Sequence, residues 1–148
     1  MNVEVGSIVK IKNICFKDGI VDHSYKQGRP CIYIGEVDEK MYFMPLSTAE
    51  PEKNYVKFRP NERNNLKKFS QINVRNVIEK DLHFVNPTGY LDEEDLVLIF
   101  NSVKKYYTTL RNDIDEKVLL LADNYLNRKY EDSNKEDLKK ENKGNRHL

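Results

Sequence analysis

One stretch, residues 25–48, constrains the fold more strongly than any other part of the chain. Apolar residues alternate with other residues in two short runs, at 32–35 and 42–45. A period of two is typical of half-buried β-strands. Between the runs lies a short, fully charged turn at 38–40. The stretch therefore predicts an antiparallel hairpin.

The outer ends of a hairpin lie side by side. Arg29 precedes the first strand, and Ser47 and Thr48 follow the second. We therefore expect a guanidinium and two hydroxyls in one pocket, with the phenol of Tyr25 close by. Such a group of donors is suited to holding a phosphate. The alternative is structural: Ser47 and Thr48 end a strand, and Arg29 caps the preceding loop.

Three further strands are predicted elsewhere in the chain. One covers 8–12, where apolar residues alternate with lysines, a short one covers 55–58, and another covers 70–78. Residues 17–27 have no apolar period and predict a long polar loop, of a length that is often functional. The polar segment 60–68 is predicted to hold one or two helical turns.

The pattern changes to that of a helix after residue 91. Four consecutive acidic residues at 92–95 suit the positive end of a helix dipole. Neither Gly nor Pro occurs between Leu91 and Tyr130, which allows one long helix, or two helices with a break near 112–113. The apolar residues recur every three or four positions, which predicts a face packed on the sheet: Leu96, Phe100, Val103, Tyr107, Leu110, Ile114, Val118, Leu121 and Tyr125.

Strands followed by helices predict an α+β fold, and 148 residues fit one domain. We assign 1–130 to a single globular domain. Residues 131–148 are rich in charge and hold few aliphatic side chains, so they are predicted to form a frayed helix or a disordered tail.

Several classes of protein are disfavoured by composition. No run reaches the roughly 18–20 apolar residues that a membrane span needs, and no signal peptide is expected, so we predict a cytoplasmic protein without a membrane partner. Cys15 and Cys31 lack a metal-binding spacing and are interpreted as buried small side chains. No metal site and no cofactor are predicted, because the histidines are scattered at His23, His83 and His147.

Positive charge is concentrated in one part of a nearly neutral chain. The net charge is +1, yet residues 53–80 hold eight basic residues against two acidic ones. Such a belt attracts polyanions. The aromatic residues within it (Tyr55, Phe58 and Phe69) would stack on unpaired bases if exposed, whereas the favoured interpretation places them in the core. The predicted RNA contacts are Lys26, Lys57, Arg59, Arg63, Lys67, Lys68 and Arg75.

The hairpin resembles that of a known family of toxins. The residues concerned are Tyr25-x-x-x-Arg29, the strand and charged turn that follow, and the ending at 42–48, Tyr-Phe-Met-Pro-Leu-Ser-Thr. This pattern is similar to the ToxN/AbiQ family of type III toxin–antitoxin toxins, which includes the CptN type. The segments at 6–9 and 28–30 also look like the related PemK/MazF toxins.

The resemblance implies a compact, twisted, antiparallel SH3-like barrel with a long C-terminal helix or helix pair packed on it. It implies a metal-independent endoribonuclease that acts in phage defence. It also implies an RNA antitoxin, a small repeat RNA that the toxin both cuts and binds, in some cases in an RNA-bridged homo-oligomer.

Catalytic roles carry over from the family by position. Its active-site tyrosine corresponds to Tyr25, and its basic residue corresponds to Arg29, where a lysine is usual. Its hydroxyl pair corresponds to Ser47 and Thr48. The lysine that follows corresponds to Lys53, after a longer step than in the family.

RNA is cut without a metal when its 2′-hydroxyl attacks the adjacent phosphate. The enzyme must align the attack, stabilise the non-bridging oxygens and protonate the leaving 5′-oxygen. Arg29 suits the second task because it stays charged. Tyr25, Lys26 and Lys53 are candidates for the proton donor, and His23 is the nearby side chain with a suitable ordinary pKa.

Two other functions fit the same sequence. One is a type II PemK/MazF toxin neutralised by a protein, which a small upstream reading frame with an acidic tail would favour. The other is a non-catalytic RNA- or protein-binding module on an SH3-like barrel.

Overall fold

The computed structural model describes residues 3–15, 21–22, 27–49, 53–82 and 85–145, and for residues 15, 22 and 133–145 it describes the backbone alone. Tyr25, Lys26 and all three histidines therefore lie outside the described residues. The elements in chain order are β1 (Ser7–Ile11), β2 (Ile14–Cys15), β3 (Val21–Asp22), β4 (Arg29–Val37), β5 (Lys40–Pro45), β6 (Tyr55–Phe58), β7 (Ser70–Asn73), β8 (Ile78–Lys80), β9 (Gly89–Tyr90), α1 (Glu93–Tyr106) and α2 (Asp113–Asn145).

The predicted α+β class is confirmed. Five antiparallel strands form the main sheet in the order β8-β5-β4-β1-β9, and two-stranded ribbons are formed by β2-β3 and by β6-β7. Within the part of the chain that the structure describes, the main sheet is open, because β8 and β9 at its two edges do not pair with each other.

The predicted hairpin is formed by β4 and β5, with Cys31 opposite Pro45 and Val37 opposite Lys40. Its turn is two residues long, one fewer than expected. Asp38 and Glu39 have φ values of 52° and 66°, and tight hairpin turns of type I′ require positive φ at both central residues.

A bulge interrupts the hairpin at Gly35, where the register shifts after Tyr33. Gly35 has a φ of 136°, and a Cβ there would lie 2.5 Å from Leu121 Cδ2. Because Gly35 has no side chain, Leu121 of helix α2 packs directly against the backbone of the bulge.

Both faces of the hairpin are buried, whereas a period of two had predicted half-buried strands. The helices and the β6-β7 ribbon cover one face, and a smaller apolar cluster covers the other. The first face presents Ile32, Ile34, Tyr42 and Met44, and the second presents Cys31, Tyr33, Met41 and Phe43. When the residues between the alternating apolar residues are also apolar, both faces of a strand can be buried. The period of two then predicts only one of the two cores.

The C-terminal pattern forms two helices, with the break at residues 107–112. The apolar face packs on the sheet as predicted, except that Leu110 lies in the connection and is 43% exposed. Helix α2 continues to Asn145, so the backbone of most of the predicted tail is helical.

Residues 60–90 differ most from the prediction. The expected strand 70–78 is two strands, because β7 ends at Asn73, whose Oδ1 accepts a hydrogen bond from Arg75 N (2.9 Å). Of the one or two helical turns expected at 60–68, one is present, closed by the hydrogen bond from Asn65 N to Asn61 O (3.0 Å), and the rest is an irregular loop. The side chain of Asn64 holds this loop: its Oδ1 accepts from Asn61 N and Leu66 N, each at 3.0 Å.

Candidate functional site

The open end of the hairpin brings its two outer segments together, as predicted. Leu46 N donates to Pro30 O (2.8 Å), and Arg29 Nε donates to Leu46 O (2.9 Å). Beyond Leu46 the chain leaves the main sheet and pairs with β7. Ser47 and Gln71 exchange two backbone hydrogen bonds of 2.8 Å each. This Ser47–Gln71 bridge holds Ser47 against β7. The preceding residue, Leu46, is held by Arg29, so Ser47 lies close to Arg29 in the chain path.

Arg29 and Ser47 line one cleft of about 210 Å³, which we call the Arg29 cleft. Lys53 and Tyr55 also line it, and its charged lining residues are Arg29 and Lys53. No carboxylate among the described residues lines the cleft. Two cations in the lining of one cleft make it attractive to an anion. The remaining polar lining residues are Gln71, Asn73 and Asn76.

The hydroxyl of Ser47 has a local structural role. Its Oγ accepts a hydrogen bond from Ala49 N (3.1 Å), which turns the chain immediately after the bridge. A hydroxyl that accepts through one lone pair retains its own O–H as a donor. Ser47 can therefore hold the turn and still donate to a ligand in the Arg29 cleft.

Thr48 lies elsewhere, so the expected pair of hydroxyls does not share a pocket. Thr48 is exposed and lines a second cleft of about 470 Å³, together with Lys67 and Lys68. We call it the Lys67 cleft. Successive side chains of an extended backbone point to opposite faces, which is why Ser47 and Thr48 enter different clefts.

The basic belt includes an exposed aromatic ring. Lys57 Nζ lies 5.2 Å and Arg59 Cζ lies 6.0 Å from the centroid of the Phe69 ring. Phe69 is 50% exposed and Tyr55 is 46% exposed, whereas Phe58 is fully buried. The expectation that all three aromatics lie in the core is therefore wrong for Tyr55 and Phe69.

Two predicted RNA contacts have structural partners. Arg63 Nε pairs with Asp92 Oδ1 (3.4 Å) on the exposed surface. The side chain of Arg75 is only 13% exposed and pairs with Asp115 Oδ2 (3.2 Å). Arg75 also donates to Thr109 O (3.0 Å). Arg75 therefore has a structural role in the fold, which disfavours it as an RNA contact.

The chain matches no protein-family model and no curated protein. The geometry of the clefts, together with the resemblance of the hairpin, is what bears on function. No group of three or more potential metal-binding side chains occurs within the described ranges. No helix in that part of the chain is long and apolar enough to span a membrane.

Sequence reasoning missed several residues of the two clefts. Gln71, Asn73 and Asn76 join the Arg29 cleft because β7 pairs with Ser47, a contact between segments more than twenty residues apart. Lys10 joins the Lys67 cleft from β1. In the sequence, Lys10 stands between the apolar residues Val9 and Ile11. This position predicted a solvent-facing strand residue and gave no indication of a ligand.

Proposed function

We propose that the protein is a metal-independent endoribonuclease that leaves a 2′,3′-cyclic phosphate. The observation that carries the proposal is that Arg29, Ser47 and Lys53 line a single cleft. A phosphodiester is the anion that this set of donors suits. The hairpin that builds the cleft is also the part of the sequence that resembles the ToxN/AbiQ toxins.

In this mechanism the 2′-oxygen attacks the adjacent phosphorus while the bond from phosphorus to the 5′-oxygen breaks. Arg29 stabilises the charge on the non-bridging oxygens, because its planar donors match two of them and stay charged. The O–H of Ser47 donates to the same phosphate. A base must take the proton of the 2′-hydroxyl, and an acid must protonate the 5′-oxygen. Lys53 and Tyr55 are the titratable side chains that line the cleft beside Arg29.

The biological setting is a part of the same proposal. It is a type III toxin–antitoxin system in the cytoplasm, in which a small repeat RNA is cut by the toxin and then inhibits it. We also include the SH3-like barrel in the proposal. The Ser47–Gln71 bridge supports it, because it extends the pairing of the main sheet from the end of β5 to the β6-β7 ribbon.

The test is incubation of the purified protein with a defined RNA in the presence of a chelator. We expect cleavage products that end in cyclic phosphate. Arg29→Ala should lower the rate by about 100-fold or more, the usual cost of removing one donor to a developing oxyanion. Arg128→Ala, on the exposed face of α2, is the control and should leave the rate unchanged. Full activity of Arg29→Ala would exclude this cleft as the site of cleavage.

A second candidate, a non-catalytic RNA-binding module, is favoured by one observation. Thr48 lines the Lys67 cleft and not the Arg29 cleft, so the hydroxyl pair that the resemblance implies is divided. Under this candidate the protein retains RNA and releases intact strands. The same incubation separates the two functions, because a mobility shift without new 3′ ends would support the module.

A further inference from the structure

The Arg29 cleft and the Lys67 cleft share a wall. This wall is the Ser47–Gln71 bridge, and its residues alternate between the two sides. Ser47 and Gln71 line the Arg29 cleft, whereas their neighbours Thr48 and Ser70 line the Lys67 cleft. A ligand that crosses this one pair of backbone segments would pass directly from one cleft to the other.

The Lys67 cleft combines cations with an apolar surface. Lys10, Lys67 and Lys68 line it as exposed residues, and none of them forms an ion pair within the described part of the chain. No described carboxylate lines the cleft. The apolar lining residues are Pro30 and Leu66, together with Ile8. A nucleotide presents the matching pair of surfaces, a charged phosphate and a flat, largely apolar base.

The wall of the Lys67 cleft that residues 64–66 form is held in place before any ligand binds. Besides its two backbone donors, Asn64 donates through Nδ2 to Arg59 O (2.9 Å). Asn64 N donates to Asn61 Oδ1 (2.7 Å), which closes the same loop. Asn65 Nδ2 donates to Thr88 O (3.2 Å) and so ties the loop to the segment before β9. A cleft with a fixed wall loses less entropy on binding than a loop that must first become ordered.

We propose that the Lys67 cleft binds the nucleotide one position beyond the two that flank the scissile linkage, on the same RNA strand. Lys67 and Lys68 bind its phosphate, and its base lies against Leu66 and Pro30. The strand crosses the Ser47–Gln71 bridge between the two clefts. This proposal rests on the proposed function, because it takes the Arg29 cleft as the site of cleavage.

The test measures affinity as a function of strand length, with 2′-O-methyl oligoribonucleotides that cannot be cut. We expect a step of about tenfold in affinity when one nucleotide is added beyond the dinucleotide, on either its 5′ or its 3′ side. The side on which the step occurs gives the direction of the strand. Fluorescence anisotropy with labelled strands, from dinucleotide to hexanucleotide, measures the step.

Two variants test whether the step belongs to the Lys67 cleft. Lys67→Glu/Lys68→Glu should abolish the step, and the control Lys105→Glu/Arg128→Glu makes the same change of charge on the helices. Thr48→Trp should abolish it by filling the cleft without changing any charge. In each variant the step is measured relative to that variant's own affinity for the dinucleotide, so that a general electrostatic loss is separated from the loss of the cleft. A step that survives Thr48→Trp and Lys67→Glu/Lys68→Glu would overturn the proposal, as would the absence of any step in the wild type.

Cleavage of unmodified RNA is assayed in parallel, so that the two proposals can fail separately. A length step in binding without cyclic-phosphate products would refute the nuclease, and the adjacent binding site would remain. Cleavage of RNA without a length step would refute the adjacent binding site, and the nuclease would remain.

Discussion

Tyr42 shows how a single polar atom is accommodated inside the core. Its side chain is fully buried, yet its hydroxyl reaches the edge of the sheet and donates to Glu79 Oε2 (2.9 Å) on β8. Burial raises the pKa of Tyr42, so the phenol stays a neutral donor at every working pH. The hydrogen bond from Tyr42 and the one from Lys40 lower the pKa of Glu79. The three residues join β5 to β8 through their side chains as well as their backbones.

The lowered pKa of Glu79 predicts a particular dependence of stability on pH. Its ordinary value is 4.5, and in the folded protein the value is lower. Glu79 therefore stabilises the fold fully above pH 4.5, and this contribution is lost as the pH falls through the lower, folded value. We expect Glu79→Gln to lower the free energy of unfolding at pH 7 and to flatten its decline below pH 4.5.

Urea denaturation at a series of pH values measures this effect. Glu62→Gln, in the exposed loop after β6, is the matched control and should follow the wild type throughout. An unchanged acid limb in Glu79→Gln would mean that Glu79 has the same pKa in the folded and unfolded chains.

Arg75 connects the segment after β7 to both helices. Arg75 follows β7, and its guanidinium lies 4.4 Å from the centroid of the Tyr107 ring at the end of α1. It also pairs with Asp115 in the first turn of α2. The Asp115 carboxylate in turn accepts from Arg111 N (2.8 Å), and the Tyr107 hydroxyl donates to Val74 O. One side chain thus holds the β7-β8 turn against both helices.

This arrangement predicts that Arg75 matters for stability and not for RNA binding. Removing one partner of a buried ion pair costs about 3 kcal/mol, because the other charge stays buried. We expect Arg75→Met to lower the free energy of unfolding by about that amount and to leave RNA affinity unchanged. Lys57→Met, in the exposed belt, should show the opposite pattern. Urea denaturation and anisotropy on both variants measure the two effects. Loss of RNA affinity in a folded Arg75→Met protein would return Arg75 to the set of RNA contacts.

The elements that sequence predicted well are those whose signal is local. The β4-β5 hairpin, β6 and the apolar face of the helices each have a period that the sequence displays directly. The pairing of Ser47 with Gln71 and that of β8 with β5 join distant segments, and no local pattern encodes them. Strand β9 has two residues, too few to show a period.

The same difference between local patterns and contacts of distant segments explains which parts of the candidate site the sequence predicted. Arg29 and Ser47 were expected to meet because one hairpin connects them. Ser47 and Thr48 separate because successive side chains of an extended segment alternate. The clefts that they enter are formed by the pairing of Ser47 with Gln71, which joins distant segments. Arg75 was included among the predicted RNA contacts because it is one of the basic residues of the belt. A count of charges does not show which of the side chains are buried.

The molecule as a whole is nearly neutral, so any affinity for a polyanion must come from how its charges are arranged. Both clefts are lined by cations alone among the described charged residues, and Lys57 and Arg59 flank the exposed ring of Phe69 on the same β6-β7 side of the molecule. Four acidic residues, by contrast, lie at the start of α1. We therefore expect RNA binding that weakens steeply with salt, because each neutralised phosphate releases counterions.

Charge and stacking make separable contributions to this binding. Lys57→Gln should make the salt dependence less steep, lowering the slope of log affinity against log salt by about 0.7, the value for one phosphate contact on a single strand. Phe69→Ala should weaken binding by about 1–3 kcal/mol, the usual contribution of one stacked base, and should leave the slope unchanged. Lys105→Gln, on α1, is the control for both measurements.

Anisotropy titrations of one uncleavable RNA at several salt concentrations give the affinity and the slope together. Lys57 Nζ lies over the Phe69 ring. If the surface bound RNA through charge alone, replacing either residue would lower the slope of log affinity against log salt. The salt-independent part of the affinity would not change. If the surface also stacks bases, only the replacement of Lys57 would lower the salt slope. Only the replacement of Phe69 would lower the salt-independent part of the affinity. If both variants match Lys105→Gln, the RNA does not bind at this face, and the clefts on either side of the Ser47–Gln71 bridge must bind the strand without Lys57 and Phe69.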